Sequence, residues 1–375
     1  MSAATAPRQL REVGLAEVRA ISRGAAVLGT GGGGDPHIGA LMAAAAIRAY
    51  GPVALTPLAE LPDDAVVLPV AMMGAPTVMV EKIPSADQVG RAVEALTRHL
   101  GLGVTHVACI EAGGVNSLVP VAAAAELGLP LVDGDGMGRA FPELQQVLLT
   151  LTGVRATPMS VVDEKGNCAV LDTVDNRWAE RLARSVTIDM GCSAMISNYA
   201  MDGAAARRGL VPGTLSLAAS LGDLLEPGAA GDDPAAAVAE HLGGRVLARA
   251  KVIDVERRTT TGFARGTAVL EGSGCDVGRT LTIDFQNENL LVRDRPADRD
   301  DDGERVIATA PDLICLLDTA TGAAITTEQL RFGHRVSVIV APCDPRWRSP
   351  EGLALAGPSA FGYPDDAVLL EGVSA

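Results

Sequence analysis

The stretch HVACIEAGGVNSLVPVAAAAELGLPLVDGDGMGRAFPE, residues 106–143, sets the fold class. HVACIEAGG (His106 to Gly114) is a continuous apolar run broken by glycines, and LPLVDGDG (Leu129 to Gly136) is a second one. The alanine-rich segment between them, Asn116 to Leu127, has helical composition, and Asn116 is suited to cap it. A strand, a helix and a second strand in so few residues form a parallel crossover, and strands without polar alternation are buried on both faces. In such sheets, ligands bind beyond the carboxyl ends of the strands. Glu111 lies at one such end, and Asp133, Asp135, Arg139 and Glu143 lie at the next, among three glycines.

The same alternation extends upstream. Leu15, Val18, Ile21, Ala25 and Leu28 recur at helical spacing, AVVLPVAMMG (Ala65 to Gly74) is a buried strand, and Ser85 to Leu100 is a helix. Between the first helix and LMAAAAIRAY stands GTGGGGDPHIG, residues 29–39, where Asp35 and Pro36 read as a helix cap followed by a first-turn proline. Beyond about residue 245 the apolar pieces are short and broken by Gly, Asp and Pro, which is β-rich texture. The expected architecture is an α/β N-terminal domain with a parallel or mixed sheet covered by helices, and a C-terminal domain rich in β-structure. The division is expected at 1–165 and 166–375, with a helical segment over about 175–243 and β-structure over about 245–375. ADRDDDGER (297–305) reads as a solvated hairpin loop.

Gly31, Gly32, Gly33 and Gly34 have no side chains to pack and lose much conformational entropy on folding, so the run implies close approach of bare backbone to something. Gly-rich backbone entering a helix N-terminus suits anions. This loop follows a helix rather than a strand and lacks the GK[ST] ending of a P-loop, so no nucleotide is expected. The alternative is a tight interhelical turn. A formal net charge of -15 argues against nucleic acid and anionic membranes as partners, and no long apolar span or signal-like N-terminus is evident, so a cytoplasmic chain is expected. Six scattered cysteines without a CxxC pair indicate neither a disulfide framework nor a cysteine zinc cluster.

The carboxylates at adjacent strand ends, with Arg139 nearby, form a polar pocket with the composition of a metal site; for Asp133 and Asp135 the competing reading is turn capping. Cys192 reads either as a nucleophile near Asp189 or as a buried thiol. His99, His106, His241 and His334 read as surface or capping residues. Asn287, Glu288 and Asn289 of QNEN either close the pocket or form a network between the domains.

GTGGGGDPHIG, MMGAPTVMVEK, the 111–145 stretch EAGGVNSLVPVAAAAELGLPLVDGDGMGRAFPELQ, QNENLLV, PDLICLLD and GLALAGPSAFGY together resemble the S-methyl thiohydantoin desulfurase family over nearly the whole chain. Where the family carries an aromatic after Asp-Pro, this chain has His37. The resemblance implies a hydrolase that replaces the S-methyl group of a hydantoin-like ring by water and releases methanethiol. On that footing Asp135, Glu111 and Arg139 are candidate catalytic residues, with Arg139 suited to a substrate carboxylate. Gly31, Gly32, Gly33, Gly34, Asp35, Asn116 and Glu143 are candidate substrate-binding residues. Asp133 and His37 are candidate ligands of a divalent metal such as zinc. A small-molecule substrate, a homo-oligomer and a hydantoinase/oxoprolinase partner are expected. The alternatives are a companion subunit acting on a hydantoin or 5-oxoproline ring, or a non-catalytic small-molecule-binding module.

Overall fold

The computed structural model describes residues 8–74, 78, 82, 84–85, 87–229, 231–260, 263–296 and 303–371. In chain order, the first sheet takes strands β1 (Glu12–Val13), β2 (Val53–Pro57), β3 (Val66–Gly74), β4 (His106–Cys109), β5 (Leu131–Asp135), β6 (Met159–Val162), β7 (Cys168–Leu171), β8 (Ser193–Ser197), β9 (Met201–Asp202) and β10 (Val211–Pro212). Its order is β1-β2-β5-β4-β3-β8-β6-β7, with β10 on β5 and β9 on β3. The central pairs β2–β5, β5–β4 and β4–β3 are parallel, and β8 joins β3 antiparallel. The sheet is therefore mixed around a parallel centre. Its residues Val67, Leu68, Val70, Val107, Ala108, Leu131 and Val132 are buried.

Helices α1 (Leu15–Leu28), α2 (Pro36–Tyr50), α3 (Gln88–Leu100), α4 (Val119–Leu127), α5 (Leu148–Leu151), α6 (Asn176–Asp189), α7 (Gly203–Gly209), α8 (Thr214–Leu224) and α9 (Pro234–His241) accompany this sheet. The first two bounds follow from local chemistry. Apolar spacing carries α1 to Leu28, where the glycines stop it, and Asp35 caps α2 by accepting from the His37 amide ahead of Pro36 at the first helical turn.

A second, seven-stranded antiparallel sheet follows. It comprises β11 (Arg245–Thr260), β12 (Phe263–Gly272), β13 (Arg279–Gln286), β14 (Glu288–Pro296), β15 (Arg305–Thr309), β16 (Leu313–Asp318) and β17 (Arg335–Ala341). Its order is β15-β14-β13-β12-β11-β17-β16. It has its own core, including Val252, Leu270, Ile283, Phe285 and Val338. The part of the 297–305 loop spanning 297–302 lies outside the described residues, but β14 and β15 on either side pair antiparallel.

The expected division at 165/166 falls within the turn of the β6–β7 hairpin. That hairpin extends the first sheet through β8, and α6 to α8 belong with it, while α9 packs on α8 and on β11 and β17 of the antiparallel sheet that begins at Arg245. The reason is that SAMIS (193–197) adds an antiparallel strand beside β3, a long-range pairing that local periodicity cannot show. The chain then returns: α10 (Pro350–Ala356) follows a short turn at Pro345–Arg348 whose buried Trp347 donates from Nε1 to the Met137 carbonyl at 2.8 Å and meets Phe141 edge-on. No helix among the described residues is long and apolar enough to cross a membrane.

Candidate functional site

Because β3, β4 and β5 run parallel, Gly74, Cys109 and Asp135 end on one edge of the sheet. Three loops gather there. The glycine loop lies on the loop after β4: Gly33 accepts through its carbonyl from the Val115 amide at 2.8 Å, and a methyl on Gly33 would fall 2.5 Å from Gly113 Cα. The loop after β5 binds both: the Ala112 amide donates to the Arg139 carbonyl, and Arg139 Nη2 donates to Thr30 Oγ1 at 2.8 Å. The glycine run, EAGG and DGDGMGR thus meet at one edge of the sheet.

The β13–β14 turn of the second sheet completes this edge. Asn287 sits at φ +57°, Thr327 ties its carbonyl to that of Gly31, and the Asn289 amide donates to the Thr30 carbonyl. The resulting cleft is open to solvent and has a volume of about 80 Å³. Its polar walls are Glu111, Asn116, Glu143, Asn287, Glu288 and the backbone of Gly33 and Gly34; its apolar walls include Met72, Met73, Ile110, Met137 and Phe141. Among the described residues the amides of Gly33 and Gly34 donate to no protein acceptor. Free amides on a cleft wall suit a developing negative charge.

Two buried carboxyls face this space, one from each sheet. Glu111 accepts from Asn116 Nδ2 at 2.7 Å, and burial pushes its pKa up to about 7 against that hydrogen bond. Glu288 is 2 % exposed, and its Oε2 is buried without a hydrogen-bond partner among the described residues. Burial raises its pKa well above the usual carboxylate range, the negative charge of Glu111 adds to this, and the Arg139 cation opposes it. Burial favours the protonated form of both carboxyls, the condition under which such a pair can divide acid and base work.

The remaining candidates divide. Asn116 is an orienter: its Oδ1 accepts from the Met72 amide and its Nδ2 donates to the Met72 carbonyl as well as to Glu111. It does not cap α4, whose N-cap is Leu118. Glu143 lines the cleft and accepts from Gln145. Asp135 lies behind the cleft wall, fully buried; its Oδ2 accepts from the Met137 and Gly138 amides at 2.8 Å, holding the loop, and burial pushes its pKa up to about 7. Gly31 is strapped to Thr327, Gly32 lies against Glu288, and Asp35 is occupied in capping α2.

Arg139 has no N–H left for a substrate. Fully buried, it donates from Nε to Ala140, from Nη1 to the Pro311 and Asp312 carbonyls, and from Nη2 to Thr30 and the Asn289 carbonyl. It fastens the three loops to the second sheet. The expected metal pair is also not brought together. Asp133 accepts from the Leu215 and Ser216 amides and the Ser216 hydroxyl at the start of α8, while His37 is exposed on the first turn of α2. Among the described residues no three His, Cys, Asp or Glu side chains form a metal-ligand cluster. Cys192 stands at φ +66° behind β8, outside the cleft. The residue the motif reading left undecided is Glu288; its signal was a polar QNEN turn between apolar strands.

A crystal structure of a protein from Chromobacterium violaceum is similar, with 26 % identity, a TM-score of 0.77, and 96 % of this chain and 100 % of that chain covered. No curated protein matches the chain. Two family models match in succession, "S-Me-THD-like, N-terminal domain" over residues 16–173 and "S-Me-THD-like, C-terminal domain" over 174–369, and the chain therefore belongs to the S-Me-THD-like family.

Proposed function

We propose that the chain hydrolyses the S-methyl group from an S-methyl thiohydantoin-like ring. The observation that carries this reading is the pair Glu111 and Glu288, buried carboxyls from the two sheets in one cleft, both of which burial holds toward the protonated form. Replacing a thioether by water at an isothiourea-like carbon needs one group to take a proton from water and another to give one to the ring nitrogen. Glu111, whose carboxyl Asn116 orients, is the base; Glu288, whose burial favours the protonated form, is the acid. Water adds to the ring carbon, the Gly33 and Gly34 amides stabilise the charge that develops, and the C–S bond breaks. The ring nitrogen takes the proton of Glu288, methanethiolate leaves with the proton that Glu111 took from water, and the hydroxyl proton of the adduct passes to Glu288, giving the hydantoin carbonyl, methanethiol and both carboxyls as they began.

The methionine-rich wall of Met72, Met73 and Met137 supports the reading, since polarizable thioethers accommodate an S-methyl group. The test is to incubate the chain with a simple S-methyl thiohydantoin in ¹⁸O water, quantify methanethiol with a thiol reagent and weigh the ring product. Equal amounts of thiol and ¹⁸O-labelled hydantoin are expected. Thiol release no greater than that of Glu111→Gln would end the reading.

A further inference from the structure

One residue separates β13 from β14, and it stands in a conformation that side chains seldom adopt: Asn287, at φ +57°. Consecutive residues of a strand face opposite sides. The left-handed turn breaks that alternation, and Asn287 and Glu288 both line the catalytic cleft. Asparagine tolerates this region better than most residues because its short amide bonds locally. Here it does so: Asn287 Oδ1 accepts from the Ala264 amide at 2.9 Å, its own amide donates to the Ala264 carbonyl at 2.8 Å, and its carbonyl accepts from Thr327 Oγ1 at 2.6 Å.

Three of its four polar groups are thereby spent on the fold. The fourth, Nδ2, donates to no acceptor among the described residues. Because a backbone N–H bonds to oxygen, the Ala264 amide fixes which end of the side-chain amide is Oδ1 and leaves Nδ2 as the free end. Asn287 is only 7 % exposed, and the surface it retains belongs to the cleft. Other side-chain donors on these walls are engaged. Asn116 gives its N–H₂ to the Met72 carbonyl and to Glu111, and Arg184 on α6 is held through Nε by Glu180 and through Nη2 by the Pro142 carbonyl.

We propose that Asn287 Nδ2 donates a hydrogen bond to the ring carbonyl beside the nitrogen that Glu288 protonates. This rests on the hydrolytic reading above and adds a requirement to it: the substrate is recognised by its ring carbonyl as well as by its S-methyl carbon. A thiohydantoin-type ring offers that nitrogen and that oxygen side by side, two acceptors on one N–C=O edge. Consecutive residues of the turn meet them with an amide and an acid. As water adds, the electron pair leaving the C=N bond passes to a nitrogen acylated by this carbonyl, and resonance carries part of the charge to its oxygen. The contact therefore strengthens as the adduct forms.

Calorimetric titration of the full chain at pH 8 with hydantoin and with 2-imidazolidinone tests this. The second ring carries CH₂ where the first carries this carbonyl, and neither contains sulfur, so the result does not depend on turnover. Wild type should bind hydantoin ~10-fold more tightly, the scale of one hydrogen bond to a donor otherwise left unpaired. Asn287→Gly keeps the left-handed backbone free of strain. Asn287→Asp keeps an acceptor for the Ala264 amide and, as a carboxylate, has no proton to donate. In both variants the preference should fall to ~2-fold or less, through weaker binding of hydantoin, with circular dichroism unchanged. No preference in wild type, no binding of either ring, or a preference that survives in both variants would overturn the inference. Equal weakening of both rings would overturn it too, and leave Asn287 a turn residue only. Thiol release from an S-methyl thiohydantoin, measured on the same wild-type sample, decides the hydrolytic reading separately. A chain that shows the preference but releases no thiol keeps Asn287 as the reader of the ring carbonyl and loses the hydrolysis.

Discussion

Gly32 lies flat against the carboxyl of Glu288: a methyl built on it would stand 2.0 Å from Oε1 and 2.5 Å from Cδ. The glycine loop and the acid of the second sheet are thus one device, in which missing side chains on one partner make room for the other. Gly32 does not sit in the left-handed region, unlike Gly31, Gly33 and Gly34. Gly32→Ala should therefore spare the backbone and push the Glu288 carboxyl aside. Turnover is expected to fall at least ~10²-fold, the scale of a displaced general acid, with the circular dichroism spectrum unchanged. Gly33→Ala should behave differently, because its methyl meets the Gly113 backbone and demands φ +75°. There, stability should drop together with activity, by ~1 kcal/mol or more. Denaturant unfolding of both variants separates the two outcomes.

Glu111→Gln keeps an acceptor for Asn116 and removes the charge. The folded pKa of Glu111 is raised to about 7 from 4.5, and that of Asp135 to about 7 from 3.8. A raised carboxyl pKa means the folded state holds its proton more tightly. The associated stability is complete below the unfolded value and is lost as pH rises through about 7. Wild type should accordingly lose stability between pH 5 and pH 8, on the order of a few kcal/mol at most. Glu111→Gln should show a flatter profile, be more stable than wild type at pH 8, and lose turnover by ~10² or more. An unchanged stability profile would remove Glu111 from the set of buried titrating groups.

The parallel centre of the first sheet was legible because its strands are short, apolar and separated by helices with clear spacing, as β3, β4 and β5 show. The caps of α2 were legible for the same reason: Asp35 and Pro36 act through bonds within three residues. What was not legible depends on pairing over long distances. SAMIS joins β3 across more than a hundred residues, so the first sheet runs on past the expected division. Asp133 and Asp135 look equivalent in the sequence, yet Asp133 is taken by α8 and Asp135 by its own loop. Arg139 looks like a substrate arginine until the carbonyls of Asn289, Pro311 and Asp312 arrive from the second sheet. Glu288 could be named as a closing residue, but its carboxyl became part of the site only when the two sheets met.

Asp133→Asn offers a direct check on the two strand-end aspartates. Its carboxylate accepts two amides and a hydroxyl at the start of α8, and an asparagine retains an acceptor for the amides. The expected result is a stability loss of ~0.5–2 kcal/mol, typical of a weakened helix cap. Turnover per folded molecule should stay within about threefold of wild type, far from the ~10²-fold loss of a group that activates water. Kinetics normalised to the folded fraction would decide.

Arg139→Met tests whether the buried guanidinium fastens the loops or grips a substrate. It removes five hydrogen bonds at once and leaves the carbonyls of Ala140, Asn289, Pro311 and Asp312 and the Thr30 hydroxyl without their donor. It also removes the cation that, among the described residues, opposes protonation of Glu288. Breaking a buried charged network typically costs ~3–5 kcal/mol, so the variant should unfold at much lower denaturant than wild type. Whatever remains folded should hold Glu288 neutral to still higher pH, and the alkaline limb of its pH–rate profile should move up. A substrate-binding arginine would give another pattern, with near-normal stability and a raised KM for anionic substrates only. Measuring unfolding, KM and the alkaline limb on one preparation distinguishes the two. Wild-type stability with a selective rise in KM would return Arg139 to the substrate and leave the junction of the sheets without its fastener.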